Sequence, residues 1–136
     1  MRTYLRAPLA TITGALVTIV LAYLGAIVLL VARMGIPLGS KGREPTRGEY
    51  LGLLLIAGGA AAIGGHIAAG TARQQRRSVV TVQAALLAGG ALWGFTSPAS
   101  QWPAWWAPAL AAVAAVGTWL GGEILRPGRK AARSPP

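Results

Sequence analysis

The chain has 136 residues, of which 54% are hydrophobic and only 12% are charged, with 13 basic residues against 3 acidic ones. This composition is too apolar for an ordinary soluble domain. Cysteine and aspartate are absent and histidine occurs once, which excludes disulfides, thiol nucleophiles and thiolate metal sites and leaves few acid–base pairs.

Four long apolar runs divide the chain, and the charges fall in short clusters between them. Crossing the hydrocarbon core of a membrane takes about 20 apolar residues in a helix. The runs therefore predict helices over residues 9–32, 50–72, 79–95 and 105–125. We expect an all-α integral membrane four-helix bundle with antiparallel up-down topology.

The predicted domain organisation is simple. Residues 1–125 are expected to form one transmembrane domain, with no room for a separate soluble domain. Residues 126–136 have the composition of a basic, disordered cytoplasmic tail.

The N-terminal segment resembles a secretory signal, since Arg2 and Arg6 precede an apolar run. That run continues to Ala32, well beyond the roughly 7–15 apolar residues of a signal peptide. We interpret it as an uncleaved signal anchor that forms the first helix.

The second helix ends in the glycine-rich stretch "GGAAAIGGHIAAGTARQQRRS", residues 58–78. Its segment from Gly65 to Thr71 has the glycine spacing of a phosphate-binding loop, but the lysine that should follow Gly70 is missing. In lipid, small residues instead let helix backbones approach each other closely. The stretch therefore predicts a helix-packing surface.

Small residues at helical spacing also occur in the other runs. The first helix has a 4-3-4-3 pattern of small residues from Thr11 to Gly25. Two readings stay open: a tight four-helix bundle, or faces in excess of one bundle that form a homodimer or dock a larger membrane protein. The predicted packing glycines are Gly58, Gly65, Gly90, Gly94, Gly117 and Gly121.

Three polar residues within the apolar runs are candidates for function: His66, Gln83 and Glu123. An ionisable group at membrane depth is a functional candidate by default. His66 can serve as a structural residue with one interhelical hydrogen bond, which we favour, or in a proton- or ligand-linked role with Glu123. Glu123 can instead pair with Arg126. No metal site is expected, because the chain has no second histidine, cysteine or aspartate to complete a site with His66.

The connection before the fourth helix is aromatic. Trp102, Trp105 and Trp106 suit a membrane–water interface, where an indole ring lies among the headgroups and its N–H stays hydrated. These three residues are therefore predicted to anchor the bundle at that interface.

The basic residues predict the orientation. Nine of them lie on the side that holds both termini and the connection between the second and third helices, and four lie on the other side. Basic loops stay in the cytoplasm, so both termini should be cytoplasmic in a multi-pass protein of the plasma or inner membrane. The residues expected to set topology and contact anionic headgroups are Arg73, Arg76, Arg77, Arg126, Arg129 and Lys130. This role accounts for the excess charge, and we expect no nucleic-acid partner.

The residues that remain do not predict an enzyme or a cofactor, because no convincing acid–base or nucleophilic pair exists. Small multidrug-resistance transporters are similar in size and helix count, but their signature glutamate in the first helix has no counterpart here. The GtrA-like family is similar only in length and topology.

A further resemblance rests on residues 64–73, "GGHIAAGTAR". They resemble the GGxxAGxxAR-like turn after the second helix in a loose group of uncharacterised small bacterial four-helix membrane proteins, with the Ala-Gly pair shifted by one position. The resemblance implies four helices and no catalytic residue.

Two functional hypotheses follow. The first is a protein that acts by helix association, as an accessory, assembly or stabilising subunit of a membrane complex or as a homo-oligomer. The alternative is a small oligomeric transporter or channel-like protein with a site around His66.

Overall fold

The computed structural model describes residues 6–34, 46–72, 75–96 and 102–124. These residues form four helices: α1 (Arg6–Met34), α2 (Arg47–Thr71), α3 (Arg76–Phe95) and α4 (Trp106–Ile124). All four are long and apolar enough to cross a membrane. The prediction of an all-α chain with four such helices is confirmed.

Three of the helices, α1, α2 and α3, begin three residues before their predicted starts. At α2 the reason is a capping box, in which Glu49 N donates to Thr46 Oγ1 at 3.4 Å and Thr46 N donates to Glu49 Oε2 at 2.5 Å. This exchange satisfies two backbone donors that the start of a helix leaves open. At α3 the first turn includes Arg76 and Arg77, which hydropathy assigned to the preceding connection.

Helix α2 lies at the centre of the packing. It has extensive contacts with α1 on one side and with α4 on the other, and α3 packs mainly on α4. Helix α3 also has smaller contacts with α1 and α2, while α1 and α4 do not meet within the described ranges. Helix α2 therefore takes part in the two largest helix contacts of the described structure.

The contacts between α1 and α2 run in opposite directions along the two helices. Leu29 lies against Gly52, Gly25 against Ile56, and Gly14 against Gly64. Between α2 and α4, the residue numbers of the contacts increase in the same direction along both helices. Gly58 lies against Val113, and Ala62 lies against Gly121.

The interior of the bundle is made mostly of small side chains, and most of the large apolar ones lie outside. The buried residues are mostly alanine, glycine and threonine. In contrast, Leu55 is 78% exposed and Trp93 is 87% exposed. Small interior residues bring the helix axes close together, as they do in helix pairs within membranes.

Candidate functional site

Helices α1 and α2 come close together at Gly14 and Gly64. A Cβ atom added at Gly14 would lie 2.6 Å from Gln83 Oε1, 2.7 Å from the Gly64 carbonyl oxygen and 2.8 Å from Ala68 Cβ. One added at Gly64 would lie 2.5 Å from the Gly14 carbonyl oxygen and would also overlap Thr18 Oγ1. Only glycine fits at either position, and sequence analysis singled out neither one.

Gln83 projects from α3 onto this crossing point and is 0% exposed. Neither its amide nitrogen nor its amide oxygen has a hydrogen-bond partner among the described residues. The nearby Thr18 hydroxyl is already engaged, since it donates to the Gly14 carbonyl at 2.8 Å. Gln83 is thus a buried polar candidate that packs at a three-helix junction.

Helices α2 and α4 meet through four of the predicted packing glycines. A Cβ at Gly117 would lie 2.5 Å from the Gly58 carbonyl oxygen, and one at Gly65 would overlap the backbone of Thr118. A Cβ at Gly121 would overlap the backbone of Ala62 in the same way. The glycines of α2 therefore serve two different neighbours, because Gly64 faces α1 whereas Gly58 and Gly65 face α4.

An open apolar groove of about 600 Å³ runs along the outside of this contact. We call it the α2–α4 groove. Gly59 lies in its lining, and a Cβ added there would have no atom of another described helix within 4 Å. The lining residues are Leu51, Leu54, Leu55, Gly58, Gly59 and Ala62 from α2, and Ala112, Val113, Val116, Gly117, Leu120 and Ile124 from α4.

Gly90 and Gly94 do not pack against another helix within the described part of the bundle, so their prediction as packing glycines stays open only for a surface outside it. Both are exposed, and an added Cβ at either would have nothing within 4 Å among the described residues. The reason is the rotation of α3, which directs Val79, Val80, Gln83 and Ala91 inward instead. Gly89 shares the outward face.

The structure places His66 on the outer surface of α2, where it is exposed. An interhelical hydrogen bond would require it to face a neighbouring helix, and that expectation is not met within the described part of the chain. The adjacent Gly65 takes the position against α4. Glu123 lies elsewhere, in a cleft between α3 and α4.

That cleft, the α3–α4 cleft, has a volume of about 290 Å³. It is lined by Arg76, Arg77, Val80 and Thr81 from the start of α3 and by Trp119, Gly122 and Glu123 from the end of α4. The other predicted headgroup contacts, Arg73, Arg126, Arg129 and Lys130, lie outside the described residues, as does the tail over 126–136.

At the other end of α3 and α4, aromatic rings form a cluster. Trp106 stacks on Trp102 with ring centroids 5.2 Å apart and an interplanar angle of 16°, and it also contacts Tyr50, Phe95 and Trp105. Edge-to-face and stacked rings of this kind attract one another beyond their burial. The cluster joins the start of α2, the end of α3 and the start of α4.

The prediction of a hydrated indole is wrong for Trp106. It is 3% exposed, and its Nε1 has no hydrogen-bond partner among the described residues. As the first residue of α4 it points inward, so the other rings surround it. Trp102 and Trp105 are exposed, and their anchoring at a membrane–water interface stays a prediction.

Metal-binding chemistry has no support here, since no three of the ligand-type side chains His, Cys, Asp and Glu come together within the described residues. Comparison of the chain with family models, curated proteins and solved structures finds no match. The geometry alone therefore has to indicate the function.

Proposed function

We propose that the chain is a multi-pass membrane protein that acts by helix association, as a subunit that assembles with or stabilises other transmembrane helices. The outward-facing large apolar side chains support its insertion in a bilayer, because water would oppose such a surface. The opposed contacts of α1 and α2 support an up-down arrangement. The excess of basic residues favours cytoplasmic termini in the plasma or inner membrane.

The observation that carries this proposal is the α2–α4 groove. Its lining has no polar side chain among the described residues, and it combines glycines and alanines with larger leucine, valine and isoleucine side chains. A groove of this shape suits a transmembrane helix, since small residues allow a third backbone to come close and gain dispersion contacts. We assign an apolar helix of another subunit as its occupant.

The transporter alternative gains no support from the geometry. A transport site in a membrane needs polar groups around a cavity. The groove is apolar, Gln83 is packed, and His66 is exposed on the outside of α2.

The test fills the groove without disturbing the bundle. Gly59→Leu places a large side chain where an added Cβ meets no atom of another described helix within 4 Å, so the four described helices need not move. Gly70→Leu is the matched control, because Gly70 is an exposed glycine of the same helix, equally open, and outside the groove. Both variants should be compared with the wild type after purification in mild detergent, by particle mass and by mass spectrometry of bound subunits.

We expect the wild type and Gly70→Leu to purify as the same assembly, either of identical copies or with a stoichiometric partner. Gly59→Leu should dissociate it while leaving the thermal stability of the single chain unchanged. A wild-type chain that is monomeric and free of partners at every detergent concentration would contradict the proposal.

Orientation has a separate test, which the lack of cysteine makes simple. A Ser134→Cys variant should resist an impermeant thiol reagent in intact cells and react after permeabilisation, because the C-terminus is expected inside. A Ser40→Cys variant, in the predicted outer connection, should react in intact cells. The reverse pattern would invert the topology.

A further inference from the structure

The α3–α4 cleft brings two cations, one anion and an indole together at one end of the bundle. Arg76 and Arg77 come from the first turn of α3, and Trp119 and Glu123 come from the last turns of α4. Gly122 allows the two helices to close at the base of the cleft, since a Cβ there would lie 2.7 Å from a methyl group of Val80. Among the described residues, the cleft is therefore formed by two helices that pack against each other.

The donors in the cleft suit an anion. Each guanidinium carries five N–H donors in a planar fork that matches the oxygens of a phosphate group. The Thr81 hydroxyl donates to the Arg77 carbonyl at 2.8 Å, so it is already used. The remaining uncharged donor is the indole N–H of Trp119, whose side chain is 57% exposed.

The charge of the cleft sets the charge of its ligand. Two arginines and one glutamate leave an excess of one positive charge. A phosphodiester carries one negative charge and would balance this excess, whereas a dianionic phosphate would leave a negative charge beside Glu123. The presence of the carboxylate thus favours a singly charged ligand.

We propose that the α3–α4 cleft binds the phosphodiester headgroup of an anionic phospholipid. The two guanidinium groups hold the phosphate, the Trp119 ring contacts the glycerol and the first methylenes, and the acyl chains continue along the exposed apolar surface of α3 and α4. This inference rests on the proposed membrane location, because the ends of the helices must lie at headgroup depth. Basic clefts between transmembrane helices are known sites for such headgroups.

The experiment uses the full-length protein purified in detergent and titrated with phosphatidylglycerol. Phosphatidylcholine with the same acyl chains controls for the lipid tails, and inorganic phosphate and glycerol phosphate control for a free phosphate source. The readouts are the midpoint of thermal unfolding and the number of lipids retained in native mass spectrometry. A ligand that binds only the folded state raises that midpoint.

The informative variant is Arg77→Gln, which removes one exposed charge of the cleft. Its matched control is Arg47→Gln, an exposed arginine in the first turn of α2, outside the cleft. Removing one charge-assisted contact should weaken binding of phosphatidylglycerol about tenfold. The control should bind as the wild type does.

If Arg77→Gln and Arg47→Gln weaken binding of phosphatidylglycerol equally, the lipid responds only to diffuse surface charge, and the proposed binding site is wrong. An equal response to phosphatidylcholine would also overturn it, and stabilisation by inorganic phosphate at the same concentration would reject a lipid source. The proposed function is checked separately, by membrane fractionation: a chain in the soluble fraction refutes the membrane location, and a membrane-bound chain without a lipid response refutes the cleft alone.

Discussion

The side-chain oxygen of Gln83 in α3 lies against the backbone of Gly14 in α1, 2.6 Å from where a Cβ of residue 14 would be. The same added atom would lie 2.7 Å from the Gly64 carbonyl oxygen, which belongs to the backbone and cannot move away without moving α2. One missing methyl group therefore allows three helices to meet.

Gly14→Ala should destabilise the protein although alanine favours helix. The added methyl group must push α1 away from α2, and overpacking of this kind costs about 1–3 kcal/mol. Gly90→Ala is the control: its Cβ would meet nothing, and the gain in helix propensity is up to about 1 kcal/mol. Thermal unfolding in detergent should rank Gly90→Ala at or above the wild type and Gly14→Ala below it. The opposite ranking would mean that Gly14 is not in the contact.

Gln83→Met should leave stability unchanged or raise it. Methionine has a similar length and flexibility, and it removes a buried amide whose two polar atoms have no hydrogen-bond partner in the described structure. Gln83→Ala should instead leave a cavity at the junction and cost about 2–5 kcal/mol, by analogy with other large-to-small core changes. If the methionine variant loses as much stability as the alanine variant, the amide makes hydrogen bonds that matter.

Trp106 should tolerate phenylalanine but not alanine. The ring is buried among four other aromatic rings, while its N–H has no hydrogen-bond partner in the described residues, so a smaller ring keeps most of the packing. Trp106→Ala should cost about 3–5 kcal/mol. Trp105→Ala, at a half-exposed neighbour, should cost clearly less in the same thermal assay. A phenylalanine variant as unstable as the alanine variant would point to a role for the indole N–H.

His66→Gln should assemble normally at pH 5.5 and at pH 8. The side chain is exposed on α2, and glutamine keeps a polar group of similar size without the ability to titrate. The measurement is the yield and the particle mass of the purified assembly at both pH values. A wild-type assembly that changes between them, together with a variant that does not, would restore the proton-linked role.

Hydropathy was sufficient to find the four helices, because each needs about 20 apolar residues regardless of its neighbours. The ends of the helices were harder to predict from hydropathy. The Thr46–Glu49 capping box is visible in the sequence as T-x-x-E, yet it lies in a polar stretch that hydropathy assigned to a connection. A search for caps would have extended α2 by its first turn.

The choice of neighbours could not be read from the sequence. Glycine and alanine occur on most faces of α2. The spacing of the glycines alone therefore did not distinguish the face that contacts α1 from the face that contacts α4. Gly14 was missed because the 4-3-4-3 pattern of small residues that starts at Thr11 and ends at Gly25 does not include position 14. Gly90 and Gly94 have the spacing of a packing motif, but no neighbouring helix contacts them among the described residues. The spacing of the glycines does not determine how α3 is rotated about its axis.

Gly64 and Gly65 are consecutive, yet each is pressed against a different helix. A residue inserted between Gly58 and Gly64 would turn the rest of α2 by about 100° and advance it by about 1.5 Å. The contact at Gly58 and the contacts at Gly64 and Gly65 could then no longer form together. The length of the segment from Gly58 to Gly65 is therefore fixed as strictly as its glycines, and an alanine insertion there should be tolerated far less than any single surface substitution.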